Sequence, residues 1–218
     1  MLWGARVRLG VLILVFLAVM GSTRSSALAQ QRDEVPASVV LLAGSVDGKP
    51  AYGCGVIVNE RRDSVEIITA GHNLAIGRLE LITVAGERLA LRSSVRLPNS
   101  DLAVLVTERP RRAYEVAELA KETPIGSRVR LWGPIKSQPF TAHVGRVRAI
   151  DPRVTDAPDN AVALDCEQCN HGDSGTGIFD DRGRLVAIVT AGYFLEGVKL
   201  FVLGENARPR AALAADRP

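Results

Sequence analysis

Residues 38–70 read SVVLLAGSVDGKPAYGCGVIVNERRDSVEIITA, and this stretch decides the fold class. Three short apolar runs, 38–43, 55–58 and 65–70, are rich in β-branched residues and too short for helices. Asp47-Gly48-Lys49-Pro50 and the polar segment 59–63 separate them, and both have the composition of turns. The pattern continues through 79–84, 88–97 and 101–107, giving six candidate strands before residue 109. Segment 108–123 breaks it: charged, alanine-containing and interrupted by Pro110, it has no strand alternation. Strand-like runs resume at 128–132, 140–150, 161–164, 177–179, 185–190 and 198–203, with Asp180-Asp181-Arg182-Gly183 as a hairpin turn. Pro209 then introduces RAALAAD, a short terminal helix. The expected fold is all-β. Two six-stranded antiparallel β-barrels, about 36–108 and 124–204, are joined by a connector at 109–123 and followed by a helix at 209–216.

Composition narrows the class further. With 218 residues, 47% hydrophobic and 23% charged, the chain can bury a core without disulfides, and it is neither a cysteine-stapled scaffold nor a disordered polymer. The formal charge of +3 would hint at an acidic partner if it were spread over the fold. It is not: Arg6, Arg8 and Arg24 lie in the first 29 residues, which hold no acidic residue, and the remaining 24 basic residues balance 24 acidic ones. Between Arg8 and Arg24 runs LGVLILVFLAVM, followed by small residues ending in Ala27-Leu28-Ala29. That is the layout of a secretory signal peptide with an A-x-A site, so a mature chain starting at Gln30 is expected to be secreted or periplasmic. The alternative is a membrane anchor formed by an uncleaved leader. The connector's arginines are interleaved with Glu108, Glu115, Glu118 and Glu122 and a single tyrosine, which reads as a solvated segment and not as a nucleic-acid patch.

Export bears on the three cysteines. In an oxidising compartment Cys166 and Cys169 either close a small disulfide or remain thiols, leaving Cys54 over. A zinc site from Cys166, Cys169 and His171 is a weaker reading, because these supply only three ligands. A redox role is weaker still, since Asn170, Gly172, Asp173 and Gly175 make the segment a turn, not a helix start.

Three polar positions gain meaning together. His72 ends the apolar run ITAGHN, Asp101 opens DLAVLV, and Ser174 sits between glycines in HGDSG. Singly they would be a structural histidine, a turn cap and a turn. A serine hydroxyl, however, becomes a nucleophile only with a base to take its proton and a group to hold that base in one tautomer. The oxyanion that follows needs backbone N–H groups, which a glycine-flanked turn can aim.

In this order and setting the chain resembles the chymotrypsin-like (trypsin-like) serine peptidases, closest in style to compact bacterial and HtrA-type protease domains. Thr69-Ala70-Gly71-His72-Asn73 is similar to T-A-x-H-C, Asp101-Leu102-Ala103-Val104-Leu105 to D-I-A-L-L, and Gly172-Asp173-Ser174-Gly175 to G-D-S-G-G. The resemblance implies an exported serine endopeptidase with Ser174 as nucleophile, His72 as base and then acid, and Asp101 orienting it. It implies an oxyanion hole from Gly172 and Ser174, and a substrate groove along Thr190, Ala191 and Gly192. The partner implied is a protein or peptide substrate; nucleic acid, metal and organic cofactor are not called for, and oligomeric state is left open. The alternatives are a secreted pseudoenzyme acting as a binding module and a non-peptidase acyl hydrolase.

The sequence also departs from that pattern. Asn73 replaces the cysteine after the histidine, so Cys54 loses its family partner, and Thr176 replaces a glycine. The specificity position falls at Gln168, with no acid to select basic side chains. His171 is expected at the substrate or as a bystander, and His143 as structural or surface. No I-V-G-G start precedes the first strand, so Asp173 is expected to meet another cation or water in place of a new N-terminus.

Overall fold

The computed structural model describes residues 34–135, 138–149, 161–169, 172–195 and 198–205. The expected leader at 1–29, the helix at 209–216 and His171 lie outside the described residues. The unit that holds every strand spans Val35–Pro218.

Strands β1 (Val39–Val46), β2 (Lys49–Glu60), β3 (Ser64–Ala70), β4 (Gly77–Thr83), β5 (Arg88–Leu89), β6 (Leu91–Arg96) and β7 (Leu102–Glu108) make the first sheet. Strands β8 (Arg128–Ile135), β9 (Gln138–Arg148), β10 (Ala161–Asp165), β11 (Gly177–Asp180), β12 (Leu185–Leu195) and β13 (Val198–Glu205) make the second. The second sheet is a closed antiparallel six-stranded barrel in the order β10-β13-β12-β11-β8-β9, as expected. The first differs: it is a seven-stranded sheet in the order β5-β4-β1-β2-β3-β7-β6. The expected strand at 88–97 is interrupted at Ala90, where the ladder changes sides. Arg88 and Leu89 pair with β4 at one edge, and Leu91–Arg96 pairs with β7 at the other. One continuous run therefore supplies both edges, so the sheet curls towards closure without a continuous ladder.

Residues alternate between two apolar clusters, as the two-residue period of a strand requires. Val40, Leu42, Ile57, Val65, Ile67, Leu81 and Leu105 fill the first sheet. Their neighbours Val39, Val56, Val58, Ile68 and Val104 face the other way, packing with Trp132, Phe179, Leu185 and Ile188 of the second barrel. The Trp132 and Phe179 rings meet edge to face, 5.6 Å apart. Because β3 serves both clusters, every residue in it is buried.

The connector corrects its expectation in part. Ala117 and Ala120 are buried. The Ala117 N–H donates to Ile57 O, the Ala120 N–H to Leu185 O and the Leu185 N–H to Glu118 O, so the segment straps one sheet to the other. Its start is anchored by Glu87, whose carboxylate accepts the backbone N–H groups of Arg111 and Arg112 and is held below the usual carboxylate range by them. The hairpin at Asp180 forms as expected, with Gly183 in the left-handed region at φ 78°.

Candidate active site

β3 ends at Ala70 and the chain turns through a single 3-10 turn, Gly71–Ala75, which lifts His72 out of the sheet. β7 runs antiparallel to β3 with Ala70 opposite Leu102, so Asp101, just before β7, arrives beside that turn. The carboxylate grips His72 twice: Oδ1 accepts the His72 backbone N–H at 3.0 Å, and Oδ2 lies 2.6 Å from Nδ1. An ionised carboxylate can only accept, so this contact places the ring proton on Nδ1 and leaves Nε2 as a base.

Asp101 is itself held on three sides. Its Oδ1 also accepts Arg96 Nη2 at 2.9 Å, its carbonyl accepts the Gly71 N–H at 2.7 Å, and its N–H donates to Glu205 Oε1 at 2.8 Å. The second Glu205 oxygen accepts the Ser100 hydroxyl at 2.7 Å. Glu205 is buried at the end of β13, so a second-barrel carboxylate fixes the first-sheet loop that carries Asp101.

Ser174 lies in a turn between Gly172 at φ 103° and Gly175 at φ 84°. Its carbonyl accepts two donors of the first sheet, the Cys54 N–H and Asn73 Nδ2, both at 2.9 Å. Asn73 Nδ2 also donates to Thr69 Oγ1 at 3.0 Å, and that hydroxyl donates to Cys54 O at 2.6 Å. After Ser174 the Gly175 N–H reaches Val189 O and the Thr176 N–H reaches Asp173 O. Gly175 has to be glycine, since a Cβ there would run into Cys54 O and Thr69 Oγ1. Among the described residues, the N–H groups of Gly172 and Ser174 donate to no acceptor and no hydrogen bond joins Ser174 to the His72 ring.

Residues 53–188 match the trypsin-like peptidase domain family. The chain belongs to that family. No curated protein matches it. Among solved structures, the active form of the Rv3671c protease from M. tuberculosis matches with a TM-score of 0.67 at 18% identity, over 86% of this chain and 82% of that one. The serine endoprotease from Yersinia pestis matches at 0.64 and 21%, over 87% and 65%, and the HtrA-type protease AlgW with tripeptide at 0.68 and 19%, over 87% and 62%. This chain thus aligns with under two-thirds of the length of those last two proteins. At such identity the likeness is one of fold; peptidase activity is what family membership gives.

Other expected positions fall as follows. Thr190 is buried, while Ala191 and Gly192, next on β12, are exposed. Gln168 is exposed beside the Cys166–Cys169 disulfide, which is closed. Cys54 is a free, buried thiol, pushed up to about 12 chiefly by burial, so it stays protonated and unreactive at neutral pH. Asp173 is buried with its Oδ1 4.0 Å from His143 Nε2, and His143 is fully buried.

Sequence reasoning missed Asn73, Thr69 and Glu205. Asn73 stood out only as a departure from the family pattern; its adjacency to His72 was the one signal that it belonged to the site.

Proposed function

We propose that the protein is an exported serine endopeptidase that hydrolyses peptide bonds through an acyl-enzyme on Ser174. The observation that carries this reading is the double grip of Asp101 on His72, which leaves Nε2 free to act as a base next to a serine loop tied to the same turn through Asn73. In the proposed sequence, His72 Nε2 takes the Ser174 proton as Oγ bonds to the scissile carbonyl carbon. The resulting oxyanion is received by the N–H groups of Gly172 and Ser174, which donate to no acceptor among the described residues; one such donor is worth about 10²–10³ in rate. His72 returns the proton to the leaving amine, and water repeats the cycle on the ester. Asp101 holds the tautomer throughout and stabilises the imidazolium. A peptide lying as an added strand along Ala191 and Gly192 would present its bond to this centre. The basic, apolar, A-x-A leader supports export.

One observation favours a second reading, a secreted pseudoenzyme that binds without cleaving: Ser174 makes no hydrogen bond to the His72 ring. Catalytic hydrogen bonds are often long in free enzymes and tighten on substrate, so the first reading stands ahead. Labelling with a fluorophosphonate probe separates them. The peptidase reading expects covalent labelling that is lost in Ser174→Ala and in His72→Ala, with casein or a peptide library cleaved in parallel. Labelling that persists in Ser174→Ala would overturn it, and labelling with ester but no peptide hydrolysis would move it to an acyl hydrolase.

A further inference from the structure

The aspartate that orients His72 stands partly in solvent, with 29% of its side chain accessible. Water competes for the oxygens of such a group, so its aim depends on every protein donor that holds it. Oδ2 lies 2.6 Å from His72 Nδ1, while Oδ1 takes the His72 backbone N–H at 3.0 Å and Arg96 Nη2 at 2.9 Å. Strand register delivers that guanidinium. Arg96 ends β6, an edge strand exposed along its whole length, and stands opposite Ala103 of β7, while the N–H of the next residue, Leu97, donates to Leu102 O. The Arg96 backbone is thereby pinned beside the residues that follow Asp101.

Gly71, directly before His72, carries an independent mark of the same contact. A Cβ added there would stand 2.9 Å from Arg96 Nε, 2.9 Å from Asp101 Oδ1 and 3.3 Å from Arg96 Cγ. Its φ is not in the left-handed region, so the backbone does not call for glycine; the guanidinium lying over it does. The other ion-paired arginine of β6 supplies a contrast. Arg92 Nη1 meets Asp63 Oδ2 at 2.8 Å, and Asp63 precedes β3, at the opposite end of that strand from His72.

We infer that Arg96 is a positioning residue for the proposed hydrolysis, acting through Asp101 on His72, an inference that rests on the peptidase reading. By occupying Oδ1, the guanidinium leaves Oδ2 to the ring and so sets which carboxylate oxygen faces Nδ1. Without it, Oδ1 keeps the His72 N–H but loses its charged donor, the carboxylate gains freedom to turn, and Nε2 loses its aim at Ser174 Oγ. An exposed ion pair contributes little to stability, so the effect falls on the reaction and not on folding.

The test measures fluorophosphonate labelling rates of the full chain and its variants at matched folded fraction. Arg96→Ala should label about two- to fivefold more slowly than wild type, the kinetic equivalent of an exposed ion pair. Arg96→Lys should recover a good part of the rate, since the contact uses a single nitrogen, and Arg92→Ala should label as wild type does. Gly71→Ala should slow labelling too, and by less when Arg96 is already alanine, because part of its effect is to displace the guanidinium. Raising salt to about 1 M, where the Debye length is about 3 Å, should shrink the ratio of wild-type to Arg96→Ala rates. Equal rates for wild type and Arg96→Ala, a lysine variant no better than alanine, or a ratio indifferent to salt overturns the inference. The His72 Nδ1 proton supplies a readout that needs no turnover: its downfield proton resonance should be sharp in wild type and broadened by faster exchange with water in Arg96→Ala. A wild-type chain that does not label defeats the peptidase reading alone; the resonance then decides on Arg96, and one equally sharp in both chains overturns its role.

Discussion

Asn73 is the bond between the two halves of the proposed site, and replacing it should separate stability from catalysis. Its Nδ2 donates to Ser174 O and to Thr69 Oγ1 from a buried position. In Asn73→Ala both bonds go, but neither oxygen is stranded: Ser174 O keeps the Cys54 N–H, and the Thr69 hydroxyl keeps Cys54 O. Two ordinary hydrogen bonds at about 0.5–1.5 kcal/mol each give a loss of about 1–3 kcal/mol. Asn73→Asp should cost more, about 3–5 kcal/mol, because a buried carboxylate would face two oxygens with no donor of its own. A domain with a typical reserve of about 5–15 kcal/mol keeps the alanine variant folded. Its fluorophosphonate labelling rate then reports the position of Ser174 and not the amount of folded protein. A misplacement of about 1 Å can cost about 10²-fold. The Gly175 and Thr176 N–H bonds still hold the loop, so the expected fall is roughly tenfold. Urea unfolding and labelling kinetics on the three proteins check both numbers. Wild-type labelling by Asn73→Ala would refute the positioning argument, and an aspartate variant as stable as the alanine variant would refute the geometry.

Three further outcomes follow from other parts of the site. Gly175→Ala should lose distinctly more stability than Gly183→Ala in urea unfolding. Both glycines have positive φ, costing about 1–2 kcal/mol for a side chain, but only the Cβ at 175 meets backbone and side-chain atoms. Stability should fall as pH rises from 9 towards 12, because the buried Cys54 thiol, ordinarily 9.0, titrates near 12 when folded, so the folded chain holds a proton that the unfolded one releases. At about 1.4 kcal/mol per pH unit the slope approaches roughly 4 kcal/mol over that window, and Cys54→Ala should flatten it in pH-dependent unfolding. Glu205→Ala should slow labelling more than Glu205→Gln, since glutamine keeps one oxygen for the Asp101 N–H or the Ser100 hydroxyl, and labelling rates of the pair measure that order.

What the sequence revealed and what it hid divide along sequence distance. Strand positions were legible because inward and outward residues alternate within a few residues, as in Ile67 facing one cluster and Ile68 the other. All six strands of the second barrel fell where their apolar runs lie. His72 and Asp101 were legible because each sits at a strand terminus with a recognisable local motif. The break at Ala90 was not, since it depends on which edge each half of the run meets after the sheet has curled. Nor was the burial of Ala117 and Ala120, whose partners are Ile57 and Leu185. The same holds at the site: Asn73 and Ser174 are 101 residues apart, Ser100 and Glu205 are 105 apart, and no local period connects either pair.

These long pairs share one origin, the apolar layer between the two sheets. Val39, Val56, Ile68 and Val104 pack against Trp132, Phe179 and Ile188, and this docking sets where the Ser174 carbonyl and the Glu205 carboxylate land. The apolar layer supplies non-directional attraction. The hydrogen bonds of Asn73 and Glu205 then choose one register from the many that an apolar contact permits. Asn73 is one of these choosing bonds: its amide ties the His72 turn across the interface to the Ser174 carbonyl.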